Sequence, residues 1–219
     1  MKRLNNRVTL LMSQVFFTAA LLPLFLFPGL AATRPMRRLV AYMFGHLLAS
    51  RYHRVIEFYG QSYGTALAAG LEKAASLSTA SINTIVDCGT GTGYAAGQAA
   101  RRFPEAFVVG VDVVPGMLDQ AQRNFQSEKI HHISAVCADT LRLPFADGAI
   151  DLVIAQNTIP FLAEFARVCR PGGTLVFVDT AARWIPPLVR RVAPKAGRFD
   201  TMVTEAAGLG FYLVARRAK

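Results

Sequence analysis

The residues able to do chemistry in this chain cluster at the ends of three short apolar runs. Asp87 stands before three glycines at alternate positions, in Val86-Asp87-Cys88-Gly89-Thr90-Gly91-Thr92-Gly93-Tyr94. Asp112 ends a second run, about twenty residues past the glycines. Asp139 follows a third, in Ala138-Asp139. Glycine is costly wherever the backbone does not need it. Two readings fit three of them: a tight turn, or a loop whose backbone touches a ligand. A pyrophosphate reader would place its third glycine one residue later and leave the helix N-terminus free for an anion. Here Gly93 comes early and Asp87 precedes Gly89. A carboxylate there suits a cationic partner that donates hydrogen bonds. Asp112 could accept both hydroxyls of a ribose, or simply cap a helix. Met117, a turn later, could pack on the face of a base, and Asp139 could accept from an exocyclic amine.

These residues need a scaffold that brings strand ends together. Ile82–Asp87, Phe107–Asp112, His132–Cys137, Ile150–Ala155 and Gly173–Asp179 read as strands. Ala95–Phe103, Pro115–Phe125 and Pro160–Cys169 read as helices between them, the second with proline in its first turn. Pro171-Gly172-Gly173 reads as a helix stop. Strands that are near-continuous apolar runs and alternate with helices predict a mostly parallel sheet covered on both faces. In such a sheet ligands bind beyond the carboxyl ends of the strands. Trp184–Val192 reads as a further helix. Phe199–Glu205 and Phe211–Ala215 read as a closing hairpin around Gly208 and Gly210.

Four segments in order, VDCGTGTG, GVDVVPGML, ADTLRLPFADGAIDLV and FARVCRPGGTLVFVD, resemble the class I S-adenosylmethionine-dependent methyltransferases. The similarity is greatest to the branch with quinone-biosynthesis and phospholipid N-methyltransferases, and it covers roughly residues 82–180. It implies an α/β, Rossmann-like, doubly wound sheet with a C-terminal antiparallel hairpin, preceded by N-terminal helices. It also implies S-adenosyl-L-methionine as cofactor. Asp87, Gly89, Thr90, Gly91 and Gly93 would form the cofactor loop. Asp112 would hold the ribose, with Val113 and Met117 beside it. Asp139 and Thr140 would meet the adenine, and Gln156 would border the methionine portion. The chain has Thr90 where the family commonly has cysteine, and Cys88 where it commonly has an aliphatic residue. Both changes are small.

The first eighty residues have another character. Residues 8–32 carry no charge, which is long enough for a helix to cross a hydrocarbon core of about 30 Å. Lys2, Arg3 and Arg7 precede this run, and Arg34, Arg37 and Arg38 follow it. A cleavable leader would have a shorter apolar core. A span, a re-entrant anchor bent at Pro23 and Pro28, and a buried helix of the domain all fit; membrane attachment is the favoured reading. The expected organisation is an anchor over 1–35, a helical cap over 36–78 and a methyltransferase domain over 79–219.

The chain has 219 residues, 24 Lys+Arg against 14 Asp+Glu, and a net charge of +10. Its hydrophobic fraction is 53% and its mean hydropathy +0.32. The basic balance favours anionic partners, and an apolar N-terminus selects acidic membrane surfaces over nucleic acid. Arg51, Arg54, Arg190, Arg191, Lys195 and Arg198 could face such headgroups. The spacing of Cys88, Cys137 and Cys169 fits no metal motif, and their apolar contexts predict three buried free thiols. The expected activity is therefore methyl transfer to a lipophilic small molecule, a phospholipid amine or a quinone precursor, with the domain facing the cytoplasm. A general base would help a hydroxyl or carbon acceptor. His53, Tyr59 and Tyr63 could line its pocket, with Tyr52 and His46 nearby, although packing within aromatic helices explains them as well. His131 and His132 enter a strand at the end away from the site and read as structural. A membrane assembly or regulatory protein that binds the cofactor without chemistry, and an NAD(P)-dependent oxidoreductase, are the alternatives.

Overall fold

The computed structural model describes residues 61–180 and 199–218 apart from 209, with scattered positions between 28 and 42. The expected helix over 184–192, most of the apolar N-terminal run, and His46, Tyr52, His53 and Tyr59 lie outside the described residues.

Seven strands form one sheet: β1 (Thr84–Cys88), β2 (Phe107–Asp112), β3 (Ile133–Cys137), β4 (Ile150–Gln156), β5 (Cys169–Asp179), β6 (Phe199–Ala207) and β7 (Gly210–Arg217). Their order is β3-β2-β1-β4-β5-β7-β6. The first five are parallel; β7 runs antiparallel to β5 and pairs antiparallel with β6. Among the described residues, four helices cover the sheet: α1 (Gln61–Leu77), α2 (Tyr94–Arg102), α3 (Pro115–Ser127) and α4 (Leu162–Val168). A four-residue helical turn, Pro28–Ala31, stands apart from them in sequence.

Side chains alternate across a strand, so each strand feeds two cores. Ile85, Val108, Leu152, Ile154, Val176 and Val214 meet the alanine-rich faces of α1 and α2 and Ala121 and Phe125 of α3. Val86, Val111, Val153, Leu175, Phe177 and Leu213 meet Leu162, Phe165 and Val168 of α4. Small residues on α2 (Ala95, Ala96, Ala99 and Ala100, all buried) let that helix lie close to the sheet. The same alternation aims Asp87 at the α2 side, between Val86 and Cys88, which face the other way.

Two expectations are corrected. Pro171-Gly172-Gly173 does not separate helix from strand: β5 begins at Cys169, directly after α4. Cys169 pairs with Ile150, and the register shifts before Leu152 pairs with Thr174. The three turn-forming residues sit in that irregularity. Cys137 is not buried as Cys88 and Cys169 are. It ends β3, the edge strand, where Val136 beside it is also exposed.

The order places the switch point between β1 and β4, because β2 and β3 extend one way from β1 and β4 and β5 the other. The carboxyl ends of β1, β2 and β4 therefore open on one crevice. At the opposite end Asp151 accepts hydrogen bonds from the amides of Asn83 (2.9 Å) and Thr84 (2.8 Å) and from the Thr84 hydroxyl (2.9 Å), and pairs with Arg170. Burial would raise its pKa, but these donors outweigh that and hold it below the usual range. His132 belongs to this end too, its ring bonded to the carbonyl of Ala100 at 3.1 Å. These contacts fix the end of the sheet away from the crevice.

Candidate functional site

The loop after β1 is braced from three sides. The amides of Gly89 and Thr90 both donate to the carbonyl of Val111 on β2, at 2.8 and 3.0 Å. Asp87 Oδ2 accepts from the Thr90 hydroxyl at 2.7 Å and from the amide of Ala96 in α2 at 3.0 Å. Asn124 of α3 donates to the carbonyl of Thr92 at 2.8 Å. Asp112 then ties the loop to the end of β2: Oδ2 accepts the Gly91 amide at 2.9 Å, and Oδ1 accepts the Val114 amide at 3.0 Å.

The three glycines are there for different reasons. A β-carbon at Gly89 would stand 2.6 Å from Thr158 Oγ1, in the turn after β4. One at Gly93, where φ is +85°, would stand 2.5 Å from the ring of Phe125. At those two positions the absent side chain makes room for the protein itself. Only Gly91 faces open space, with nothing within 4 Å of where its β-carbon would be. Its φ of +54° and its amide bond to Asp112 fix a bare stretch of backbone at the crevice.

Two buried carboxylates border that stretch. Asp87 is 1% exposed, and its second oxygen, Oδ1, has no hydrogen-bond partner. Burial pushes its pKa up to about 7, against the opposing pull of the Thr90 and Ala96 donors; the nearby charge of Asp112 adds to the rise. Burial also raises Asp112, while the amides of Val114, Gly91 and Val113 hold it back. A site with two such groups disfavours a phosphate and favours ligands that bring positive charge or hydroxyl donors.

The other predicted residues stand at the ends of neighbouring strands, on α3 and on α1. Val113, just past Asp112, is an apolar side chain 45% exposed at the end of β2. Met117 is buried on the first turn of α3. Asp139 is the second residue of the connection between β3 and β4, where its Oδ1 accepts the Leu141 amide at 3.0 Å; Thr140 follows it. Gln156 is buried at the end of β4. Tyr63 lies within α1, one residue before Gly64, where a side chain would collide with the hydroxyl of Tyr94. This places that end of α1 beside the first residue of α2. Among the described residues, no cluster of three His, Cys, Asp or Glu side chains could hold a metal ion.

Sequence reasoning missed the turn after β4. Asn157 adopts φ +52°, and its carboxamide is held by Thr180 at the end of β5. Thr158, next to it, packs against Gly89. The only signal in the chain was the position of Asn157-Thr158, immediately past an apolar strand.

A parallel sheet of this order, with a glycine loop after the first strand, a carboxylate ending the second and a closing antiparallel pair, is the fold of the S-adenosylmethionine-dependent methyltransferases. Residues 85–173 match the family described as "Methyltransferase domain". S-adenosylmethionine is the cofactor of the class. The chain is 33% identical over 149 residues to a malonyl-[acyl-carrier protein] O-methyltransferase of Marinomonas sp. (strain MWYL1), covering 64% of this chain and 54% of that protein. It is 40% identical over 102 residues to a demethylmenaquinone methyltransferase of Thermus thermophilus, covering 43% of this chain and 46% of that one. The chain thus spans about half the length of these curated relatives. A solved SAM-dependent methyltransferase of Aquifex aeolicus superposes with a TM-score of 0.60 at 14% identity, over 77% of this chain and 97% of that one. That likeness is one of fold.

Proposed function

We propose that the protein is a membrane-associated S-adenosylmethionine-dependent methyltransferase acting on a lipophilic small molecule, a phospholipid amine or a quinone precursor. The observation that carries the cofactor reading is the unpartnered, buried Oδ1 of Asp87 beside the open backbone at Gly91. The residues present fit the cofactor. Asp87 places a buried carboxylate behind the loop it braces, where its charge favours an ammonium group on the crevice side. Asp112 has lone pairs left on both oxygens for ribose hydroxyls. Val113 and Met117 supply an apolar border, Asp139 and Thr140 polar groups at the adenine side, and Gln156 a polar end to β4. Asp87 beside the glycine loop opposes the pyrophosphate of NAD(P), whereas Asp112 would serve the ribose of either cofactor.

When bound, the cofactor supplies a methyl group on a sulfonium, whose transfer is an in-line displacement. The chain's contribution is then position: a rigid loop at Gly89–Gly93, a fixed ribose contact at Asp112, and an acceptor held in line. His53, Tyr59 and Tyr63 are the candidates to border that acceptor.

The lipophilic acceptor rests on the uncharged run over 8–32 with basic residues on both sides. Among the described residues no helix is long and apolar enough to cross a membrane. The net charge of +10 and the relative named for malonyl-[acyl-carrier protein] favour a second reading, a carboxylate presented on an acidic carrier protein. Incubating the full chain with membranes, carrier protein and methyl-labelled S-adenosylmethionine separates the two. Label in the lipid or quinone fraction supports the first reading, and label on the carrier supports the second. No label in any fraction overturns both and leaves a cofactor-binding protein without chemistry. Deleting residues 1–33 should release the protein from sedimented membranes; sedimentation unchanged would refute the anchor.

A further inference from the structure

We infer that Asn157 and Thr180 form a positioning pair for the amino-acid end of the cofactor, an inference that rests on the cofactor reading above. Asn157 directly follows β4 and adopts a left-handed conformation at φ +52°, which costs a residue with a side chain unless its surroundings impose it. The imposing contacts come from the neighbouring strand. The Asn157 amide donates to the carbonyl of Val178 at 2.9 Å. Its Oδ1 accepts the Thr180 amide at 2.8 Å and lies 3.0 Å from the Thr180 hydroxyl. Its Nδ2 donates to that hydroxyl at 2.7 Å. Thr180 is itself buried, 4% exposed, so water competes poorly for these groups.

The consequence of this pairing falls on the next residue. With Asn157 turned left-handed, Thr158 leaves the strand direction and lies against Gly89, where even a β-carbon would stand 2.6 Å from its hydroxyl oxygen. Gly89 is the first residue of the loop that Asp87 braces through Thr90. The Asn157–Thr180 pair therefore fixes one wall of the glycine loop from β5, two strands away from β1. That wall lies at the ends of β1 and β4. Asp112, Val113 and Asp139 lie at the ends of β2 and β3, on the other side of the loop. Loosening the pair should thus disturb the part of the ligand that lies toward β4 and leave the nucleoside part alone.

Two probes divide the cofactor in this way: S-adenosylhomocysteine, which carries the amino-acid end, and 5′-methylthioadenosine, which lacks it. Both are titrated calorimetrically against the full chain. In Thr180→Val, which removes the hydroxyl at nearly constant shape, the Kd for S-adenosylhomocysteine should rise about tenfold, while that for 5′-methylthioadenosine stays within about twofold. Asn157→Gly keeps the left-handed turn without strain but removes the carboxamide, and should show the same selective loss. Thr180→Ser restores the hydroxyl and should bind like the wild type. Unchanged S-adenosylhomocysteine binding in Thr180→Val, or an equal loss of both ligands, overturns the inference. If the wild type binds 5′-methylthioadenosine and S-adenosylhomocysteine equally well, the amino-acid end has no site to position, and the inference falls while nucleoside recognition stands. If it binds neither, the cofactor reading falls and takes the inference with it.

Discussion

Asp112 accepts the backbone N–H of Gly91 at 2.9 Å, so the carboxylate proposed to hold the ribose also holds the loop against which the cofactor would lie. Its other oxygen takes the Val114 amide at 3.0 Å. Asp112→Ala leaves both amides without their acceptor. A lost hydrogen bond to a charged partner costs about 1.5–3 kcal/mol, less where water replaces it. Thermal denaturation should show a loss of about 2 kcal/mol in the free protein. Calorimetry should show S-adenosylhomocysteine binding weakened by more than about tenfold, because the ribose contact and the loop are lost together. Binding equal to the wild type would remove Asp112 from the site.

The glycines predict a contrast that a single loop function would not. Gly93→Ala drives a β-carbon to 2.5 Å from Phe125 at φ +85°, so packing and backbone strain add. The free protein should lose about 3 kcal/mol or more in a denaturant titration. Gly91→Ala meets open space and bears only the left-handed backbone cost, about 1–2 kcal/mol. It should remain folded at room temperature yet bind S-adenosylhomocysteine poorly, because the new methyl group occupies the open crevice.

Asp87 predicts two pH trends of opposite sign. Its pKa is raised in the folded state from 3.8 to about 7, so between these values the native protein holds more protons than the unfolded chain. The group's contribution to stability is fully present below its unfolded pKa and is lost as pH rises through about 7. A ligand ammonium group favours the ionised form, so the affinity for S-adenosylhomocysteine, which carries one, should rise severalfold between about pH 6 and 8. Both slopes should flatten in Asp87→Asn, followed by denaturation and by calorimetry across that range. Slopes retained in the variant would assign them to another group.

Strand alternation, the glycine run and the two aspartates after apolar stretches were readable because each is a local pattern. β2 lies at Phe107–Asp112, as its composition predicts, and the terminal hairpin is in place with longer arms. What one glycine does was not readable, because it depends on partners far along the chain: Thr158 for Gly89 and Phe125 for Gly93. The start of β5 was misplaced for a similar reason. Pro171-Gly172-Gly173 has turn chemistry, but pairing of Cys169 with Ile150 overrides it. Cys137 has apolar neighbours in sequence, and its exposure follows from β3 being an edge, a property of strand order alone. Asn157 was missed because its left-handed turn is imposed by Thr180, 23 residues away.

Arg167 supplies a prediction about the connection that carries Asp139. Its guanidinium donates to Glu164 at 2.7 and 2.8 Å, to Asp147 at 2.7 Å, and to the carbonyls of Phe145 and Leu143 at 2.9 and 3.1 Å. Glu164 in turn accepts the Leu143 amide at 2.7 Å. One side chain on α4 thus gathers most of the segment between β3 and β4. Arg167→Met keeps the apolar stem, leaves Glu164 with the Leu143 amide, and removes the guanidinium donor from Asp147 and two carbonyls. The side chains are partly exposed, so the loss should be about 2 kcal/mol at neutral pH. The Arg167 hydrogen bond is the main cause holding Glu164 below its ordinary value of 4.5, so its stabilisation is present above that pH and fades as pH falls through the lowered value. Urea titrations of wild type and variant should therefore differ by a constant amount above about pH 5 and converge in more acidic buffer. A difference independent of pH would mean that Arg167 acts through its packing and its carbonyl contacts rather than through Glu164.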